Sequence, residues 1–269
     1  MPVLPPFQAL VLRSYETGNT SEVVQVLSGE HGRLSVYCRG LRRKGNRFRA
    51  VLQTLAVVEV VASQGSEGAM PTLREATALS PQDAWERDLG RFALAMALAE
   101  AAAESCGEGQ PVPELFATLL EGLERLQQAP AEPEGAALTE ASAALLRVME
   151  EAGEGPALDP ELTRPWPAEK PRPECFWLDL DSGFIHTPGT RAEDSAVRWR
   201  TPRVRDGGVP LPPAAVRLVY TLQRGGEAPL LDAVEGRALF EGLLRFFEYR
   251  AGHGLRSAGF WRGMERLPK

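Results

Sequence analysis

The sequence predicts an α+β protein in which a small β-barrel precedes a longer helical body. Three observations carry that expectation. Up to about Leu79, hydrophobic residues come in short Val- and Leu-rich runs separated by Gly, Asn and Ser. From Ser80 onward they recur with a helical spacing instead. Charge changes sign along the chain: His31 to Val58 holds seven cations and no carboxylate, whereas Glu75 to Glu161 holds 18 acidic residues against four arginines, a local balance of −14. The net charge of −6 therefore hides a local positive field, and the local field decides what binds where.

Phe7 to Arg13, Glu22 to Ser28 and Gly32 to Arg39 read as the first three strands, with Ser28-Gly29-Glu30-His31-Gly32 as a hairpin loop between the second and third. A long apolar stretch, Val51 to Val61, and then Pro71 to Leu79 complete a set of five. Five strands with no helical period among them fit a closed barrel, because closure removes exposed edges. The five-stranded OB-fold barrel is the commonest nucleic-acid scaffold of that kind. An open sheet or an SH3-like barrel gives nearly the same pattern.

At Ser80 the period changes. Ser80 suits an N-cap, Pro81 the first helical position and Asp83 the acidic position of a capping box. Trp85, Leu89, Phe92, Met96, Ala99 and Ala103 then recur on one helical face. A second helix is expected over Pro113 to Gln128, burying Phe116, Leu119, Leu123 and Leu126, and a third over Thr139 to Glu151. Consecutive amphipathic helices with short connections pack as antiparallel neighbours. Six prolines between Gly153 and Pro173 forbid regular helix there. Cys175 to His186 reads as a hairpin turning at Asp181-Ser182-Gly183, within a segment 166–212 set apart from the helices. Helix returns over Pro213 to Gln223. It is strongest from Asp232, an N-cap with Glu235 three residues on, and carries a stripe of Leu239, Leu243, Phe246 and Phe247 that ends at Gly252 or Gly254. The domains are thus read as 1–79, the barrel, and 80–269, the helical domain.

Several function classes lose support. No apolar run approaches the roughly 20 residues that cross a bilayer, and the N-terminus MPVLPPFQ lacks the cationic start and apolar stretch of a secretory signal. A cytoplasmic protein with no membrane association is expected. Cys38, Cys106 and Cys175 lie far apart and form no CxxC pair, which argues against a disulfide framework or a cysteine-rich zinc site. His31, His186 and His253 are scattered, neither GxSxG nor HExxH occurs, and Gly207-Gly208 and Gly225-Gly226 lack a phosphate-loop lysine. No enzyme activity, cofactor or metal is expected.

The informative segment runs from Gly32 to Arg49. If Arg33 to Arg39 is a strand, Leu34, Val36 and Cys38 point inward while Arg33, Ser35, Tyr37 and Arg39 point outward. Arg42-Arg43-Lys44-Gly45-Asn46-Arg47 follows as a flexible cationic loop, with Arg49 just beyond it. Cations that follow a phosphate backbone, beside an aromatic that can stack a base, are what single-strand binding requires. Arg33, Tyr37, Arg39, Arg42, Arg43, Lys44, Arg47 and Arg49 are therefore the candidate DNA-binding residues.

Gln8-Ala9-Leu10-Val11-Leu12-Arg13, Ser21-Glu22-Val23-Val24, Glu30-His31-Gly32-Arg33-Leu34-Ser35 and Arg39-Gly40-Leu41-Arg42-Arg43 resemble the N-terminal domain of the RecO family of bacterial recombination mediators. The resemblance is specific over roughly the first 60 residues, looser over the helices, and resumes weakly near Leu239 to Gly254. It implies an OB-fold, a helical domain and a zinc-ribbon-like insertion. It also implies nonspecific binding of single- and double-stranded DNA, strand annealing and recombinase loading in DNA repair, in association with the nucleoid. RecR and single-strand-binding protein are the implied partners, and Arg39, Arg42, Arg43 and Lys44 would carry the DNA contact. Many similar proteins hold zinc with four cysteines in the insertion. Here Cys175 and His186, with Asp179 and Asp181 between them, are all that the region offers. Structural zinc takes four N or S ligands, so the insertion is expected to be a degenerate hairpin shaped by Phe176, Trp177 and Phe184. A second class of function is a protein-binding adaptor with little DNA affinity. For it, Arg245, Phe246, Tyr249 and Arg250 on the C-terminal helix are the candidate partner contacts.

Overall fold

A computed structural model describes residues 3–64, 69–80, 85, 88–163, 173–187 and 207–264. Five strands, β1 (Phe7–Thr17), β2 (Ser21–Ser28), β3 (Gly32–Cys38), β4 (Val57–Ser63) and β5 (Thr72–Ala78), close into a barrel in the order β1-β2-β3-β5-β4. All pairings are antiparallel except that of β3 with β5, where Tyr37 pairs with Thr72. This is an OB-like barrel. Strand β1 can serve two neighbours because it is long and its register shifts between Val11 and Arg13. Its first half pairs with β4, and Ala9 to Thr17 pairs with β2. Such a bulge bends a strand and sharpens its twist, which closure needs.

Alternation fills the barrel. Phe7, Ala9, Val11, Val24, Val26, Val36, Cys38, Val58, Val60 and Ala62 form one buried cluster. The stretch Val51 to Val61 is not one strand. A short helix, α1 (Phe48–Val51), precedes a turn, and β4 starts only at Val57. Leu55 takes a positive φ of 65°, its N–H donates to the Val11 carbonyl, and the Val11 N–H donates to the Ala56 carbonyl. Leu52 and Leu55 are buried at this turn, with Leu52 packed into the barrel cluster. The apolar run is continuous because strand and turn are both buried, not because both are extended.

Ser80 does not begin the next helix. Its hydroxyl accepts the Val57 N–H at 3.1 Å, closing the β4–β5 ladder. Trp85 lies in a turn, and α2 (Leu89–Glu104) starts after Asp88, whose carboxylate accepts the Arg91 N–H. Pro81 and Asp83 lie outside the described residues. The buried face of α2 also differs from the expected one: Leu89 is exposed and Phe92 and Met96 are half-buried, whereas alanines are buried along the whole helix. Small residues let a helix be covered on most sides, so the large side chains do not mark its core face.

The chain divides into two compact units, Met1–Leu120 and Glu121–Lys269, with the boundary inside α3 (Pro113–Gln128). The segment after the barrel stays with it for identifiable reasons. Helix α2 lies against β1, the Gly109 N–H donates to the Arg33 carbonyl and the Val112 N–H to that of Gly29. Arg33 pairs with Glu104 at 3.2 Å.

The second unit is built around α6 (Ala233–Ala251). Asp232 and Glu235 form the expected capping box, and Gly252 ends the helix in the left-handed conformation. Helices α4 (Gly135–Glu151) and α5 (Pro213–Leu222) pack against α6. So does a four-stranded sheet of order β6-β8-β7-β9, formed by Ala157–Leu158, Phe184–His186, Phe176–Asp179 and Gly208–Leu211. The hairpin β7–β8 is as expected, with the Asp179 side chain accepting the Ser182 N–H at its turn. Strand β9 and helix α7 (Arg256–Met264) were not expected. Of the segment 166–212, residues 166–172 and 188–206 lie outside the described residues.

Gly32 tests the docking of the post-barrel segment. Its φ is +57°, and an added Cβ would stand 2.1 Å from the Gln110 carbonyl oxygen. Gly32→Ala is expected to cost about 2–4 kcal/mol, seen as a lower urea midpoint at unchanged m value. A wild-type midpoint would refute this packing.

Candidate nucleic-acid interface

The interface begins with β3. Val36 and Cys38 are buried and Leu34 packs against the same cluster, so the alternate residues Arg33, Ser35 and Tyr37 face outward. Burial, reinforced by the Glu22 carboxylate, pushes the Cys38 thiol up to about 12. It is a core residue with no nucleophilic or ligating character. Tyr37 is half-buried; its hydroxyl donates to the Ser21 hydroxyl at 3.1 Å, and Ser21 also accepts the Gly40 N–H at 3.1 Å. Ser21 thereby ties the outward aromatic to the start of the basic loop.

That loop is folded, which corrects the expectation of a flexible one. Leu41 is buried in the barrel cluster, and the Arg42 N–H donates to the Thr20 carbonyl. The Asn46 side chain staples the far end: its amide donates to the Gly40 carbonyl at 3.0 Å, and its oxygen accepts the Phe48 N–H at 2.9 Å. The Arg43 and Asn46 N–H groups make further turn bonds to the carbonyls of Gly40 and Arg43. Gly40 takes φ +67°, and a Cβ there would press on the Arg43 side chain at 3.2 Å. Arg39, Gly40, Arg43, Lys44, Gly45 and Asn46 together line an open basin of about 420 Å³.

The structure sorts the candidate cations into three groups. Arg39, Arg43, Lys44 and Arg49 are exposed, and among the described residues none of them makes an ion pair. Arg47 is exposed with its guanidinium over the Phe48 ring at 4.8 Å. Arg42 pairs with Glu16 at 2.6 Å, but Glu16 is 70% exposed, and such surface pairs hold by less than about 1 kcal/mol. Arg33 stands apart: half-buried and paired with Glu104 of α2, its charge is already compensated. Ser21, Leu41 and Asn46 escaped sequence reasoning because they act through contacts with residues elsewhere in the fold. The one available signal was Asn46 beside Gly45, a turn-forming pair.

The C-terminal candidates are less available. Phe246 is buried against the small sheet, where its ring lies 3.1 Å from the position of a Gly183 Cβ, so it is no exposed partner contact. The Arg245 guanidinium bonds to the buried Glu241, and Arg262 bonds to both Glu241 and Glu248. Tyr249 is 50% exposed and its hydroxyl donates to Asp181, which raises its pKa. Arg250 is exposed. Leu180, Arg245, Glu248, Tyr249, His253 and Arg262 line an open groove of about 610 Å³. Cys175 is buried before β7 and His186 lies at the end of β8. Among the described residues no group of three or more His, Cys, Asp or Glu is placed to hold a metal, and no helix is long and apolar enough to cross a membrane.

Comparison with known proteins accords with this architecture. The family model Recombination protein O N terminal matches residues 5–82, and Recombination protein O C terminal matches residues 86–161. The chain is similar to the DNA repair protein RecO of Myxococcus xanthus, at 29% identity over 94% of each chain. It is 30% identical to the RecO of Anaeromyxobacter dehalogenans strain 2CP-C over 93% of each. With that of Anaeromyxobacter sp. strain Fw109-5 it shares 37% identity over 47% of this chain and 49% of the relative.

The Asn46 staple has a measurable consequence. Asn46→Ala is expected to speed amide exchange at Phe48 by roughly tenfold or more, the equivalent of ~1.5 kcal/mol of lost local protection. Val24, Val26 and Val36 should exchange at their wild-type rates. Unchanged exchange at Phe48 would show that the loop holds its form without Asn46.

Proposed function

The chain belongs to the RecO family of DNA repair proteins, and from that premise we propose that it binds DNA without sequence specificity through the loop that follows β3. The observation that carries the reading is the basin lined by Arg39, Arg43 and Lys44. It presents three cations from an ordered loop, and none is neutralised by a carboxylate among the described residues.

The physics of such a site is phosphate neutralisation. Each cation that meets a phosphate releases condensed counterions, so affinity falls steeply with salt and does not depend on sequence. Both single- and double-stranded DNA are bound. Annealing follows from the same chemistry: two complementary strands coated with cations repel one another less and pair sooner. Recombinase loading, association with the nucleoid, and partnership with RecR and single-strand-binding protein are proposed on the family premise. No covalent chemistry, cofactor or metal enters the mechanism. Of the candidate contacts, Arg39, Arg43 and Lys44 are assigned the central role and Arg47 and Arg49 the flank. Arg42 contributes once it leaves Glu16, and Arg33 is assigned to the Glu104 pair.

The triple change Arg39→Glu, Arg43→Glu and Lys44→Glu is expected to weaken single-strand binding on the order of a hundredfold at low salt. It should also flatten the salt dependence by roughly two units of slope. The same variant should lose acceleration of strand annealing. Arg33→Ala is the control, expected to change affinity by less than about twofold because its charge is already balanced. Wild-type affinity and slope in the triple variant would sink the proposal.

A further inference from the structure

The outer face of the sheet formed by β1, β2 and β3 carries ordered rows of side chains. Arg13 stands opposite Gln25, and Gln25 opposite Ser35; Tyr15 stands opposite Val23, and Val23 opposite Tyr37; Thr17 stands opposite Ser21. Opposed residues on antiparallel strands share a face. Since Val36 and Cys38 fill the inside, these rows point outward, and Arg39 follows Tyr37 at the end where the basic loop begins. No carboxylate belongs to them. Glu16 and Glu22 fall in register with Cys38, on the alternate set of positions.

Tyr15 is the most open aromatic on this face, 42% exposed. The Arg13 guanidinium lies over its ring, 5.1 Å from the centroid, and is itself fixed by donation from Nε to Gln25 Oε1 at 2.8 Å. Tyr37, in the same row, is half-buried with its hydroxyl bound to Ser21. The exposed ring is therefore oriented by a cation that the neighbouring strand holds in place. The loop with the basin continues from the same end of the sheet.

We propose that Tyr15, braced by Arg13, is a stacking platform for an unpaired base, so that the outer face of β1–β3 takes the bases of a single strand while the loop takes its phosphates. This rests on the DNA-binding reading above and deepens it. An aromatic face accepts any base, because every base has a π-face, and Arg beside it adds cation–π attraction. Duplex DNA offers no such contact, because its bases are already stacked on one another. The site thus separates two kinds of affinity: a phosphate component common to single and double strands, and a stacking component for single strands alone.

The test measures binding of the full chain to a single strand, to a duplex of equal length, and to an abasic strand that keeps the phosphates. Tyr15→Ala and Tyr15→Leu are expected to weaken single-strand binding roughly fivefold to a hundredfold, with duplex and abasic-strand binding within about twofold of wild type and salt slope unchanged. Tyr15→Phe keeps the ring and should bind as wild type does. Thermal midpoints are expected to match throughout, since the ring is exposed; if Tyr15→Ala unfolds, Tyr15→Leu carries the comparison. Wild-type single-strand affinity in Tyr15→Leu, or equal losses on all three probes, overturns the stacking proposal. The charge-reversed loop variant, run alongside, distinguishes this failure from that of the phosphate site: it should weaken binding to all three probes.

Discussion

Leu41 is buried in the barrel cluster in the middle of a run of cations. A leucine removed from water contributes on the order of 2 kcal/mol, and here that energy holds a charged loop against the barrel. With Leu41 inward, Arg39 on one side and Arg43 and Lys44 on the other line a common basin. Ser21 and Asn46 complete the arrangement by occupying the loop's backbone polar groups at its two ends. A loop held this way loses less conformational entropy when it meets a phosphate chain than a free one would.

The cations near β3 do not act as a uniform patch. Arg33 belongs electrostatically to α2 through Glu104, and that pair, with the backbone bonds from Gly109 and Val112, keeps the post-barrel segment with the barrel. One half-buried ion pair adds little to stability, but it removes a positive charge from the outer surface. What remains lies toward the opposite end of β3, where outward tyrosines share the face. Charge and aromatic surface are therefore brought together by strand register.

The small sheet of the second unit is held by apolar burial. Phe176, Trp177, Leu178, Ile185, Val209 and Leu211 are all buried in the small sheet, and Gly242 of α6 leaves only 2.9 Å between an added Cβ and the Leu211 side chain. The sheet thus rests directly on the helix. Also on α6, Glu241 is shared by Arg245 and Arg262, Glu248 bonds to Arg262, and Trp261 packs edge-on against Phe240 at 5.1 Å. Of the arginines and aromatics that resemble a docking surface in sequence, Arg245 is held by Glu241, Phe246 is buried beside Gly183 and Tyr249 bonds to Asp181. Partners that resemble one another in composition are told apart only by what they touch.

The local pattern in the sequence determined a good deal. Alternation in Phe7–Arg13, Glu22–Ser28 and Gly32–Arg39 located three strands, the 3.6-residue period located α3 and α6, and Asp232 with Glu235 located a cap, because each of these depends on neighbours within a few residues. The cluster from Arg39 to Lys44 was legible for the same reason. Tertiary structure decided the rest: that Val51–Val61 divides into a helix, a turn and a strand, that Ser80 closes a ladder while Asp88 caps the helix, that Arg33 is compensated, and that Tyr15 rather than Tyr37 is the open ring. Those outcomes depend on pairs such as Val11 with Ala56, Arg33 with Glu104 and Tyr15 with Val23. Barrel closure sets the first of these, the docking of α2 the second and hairpin register the third, and no local periodicity encodes them.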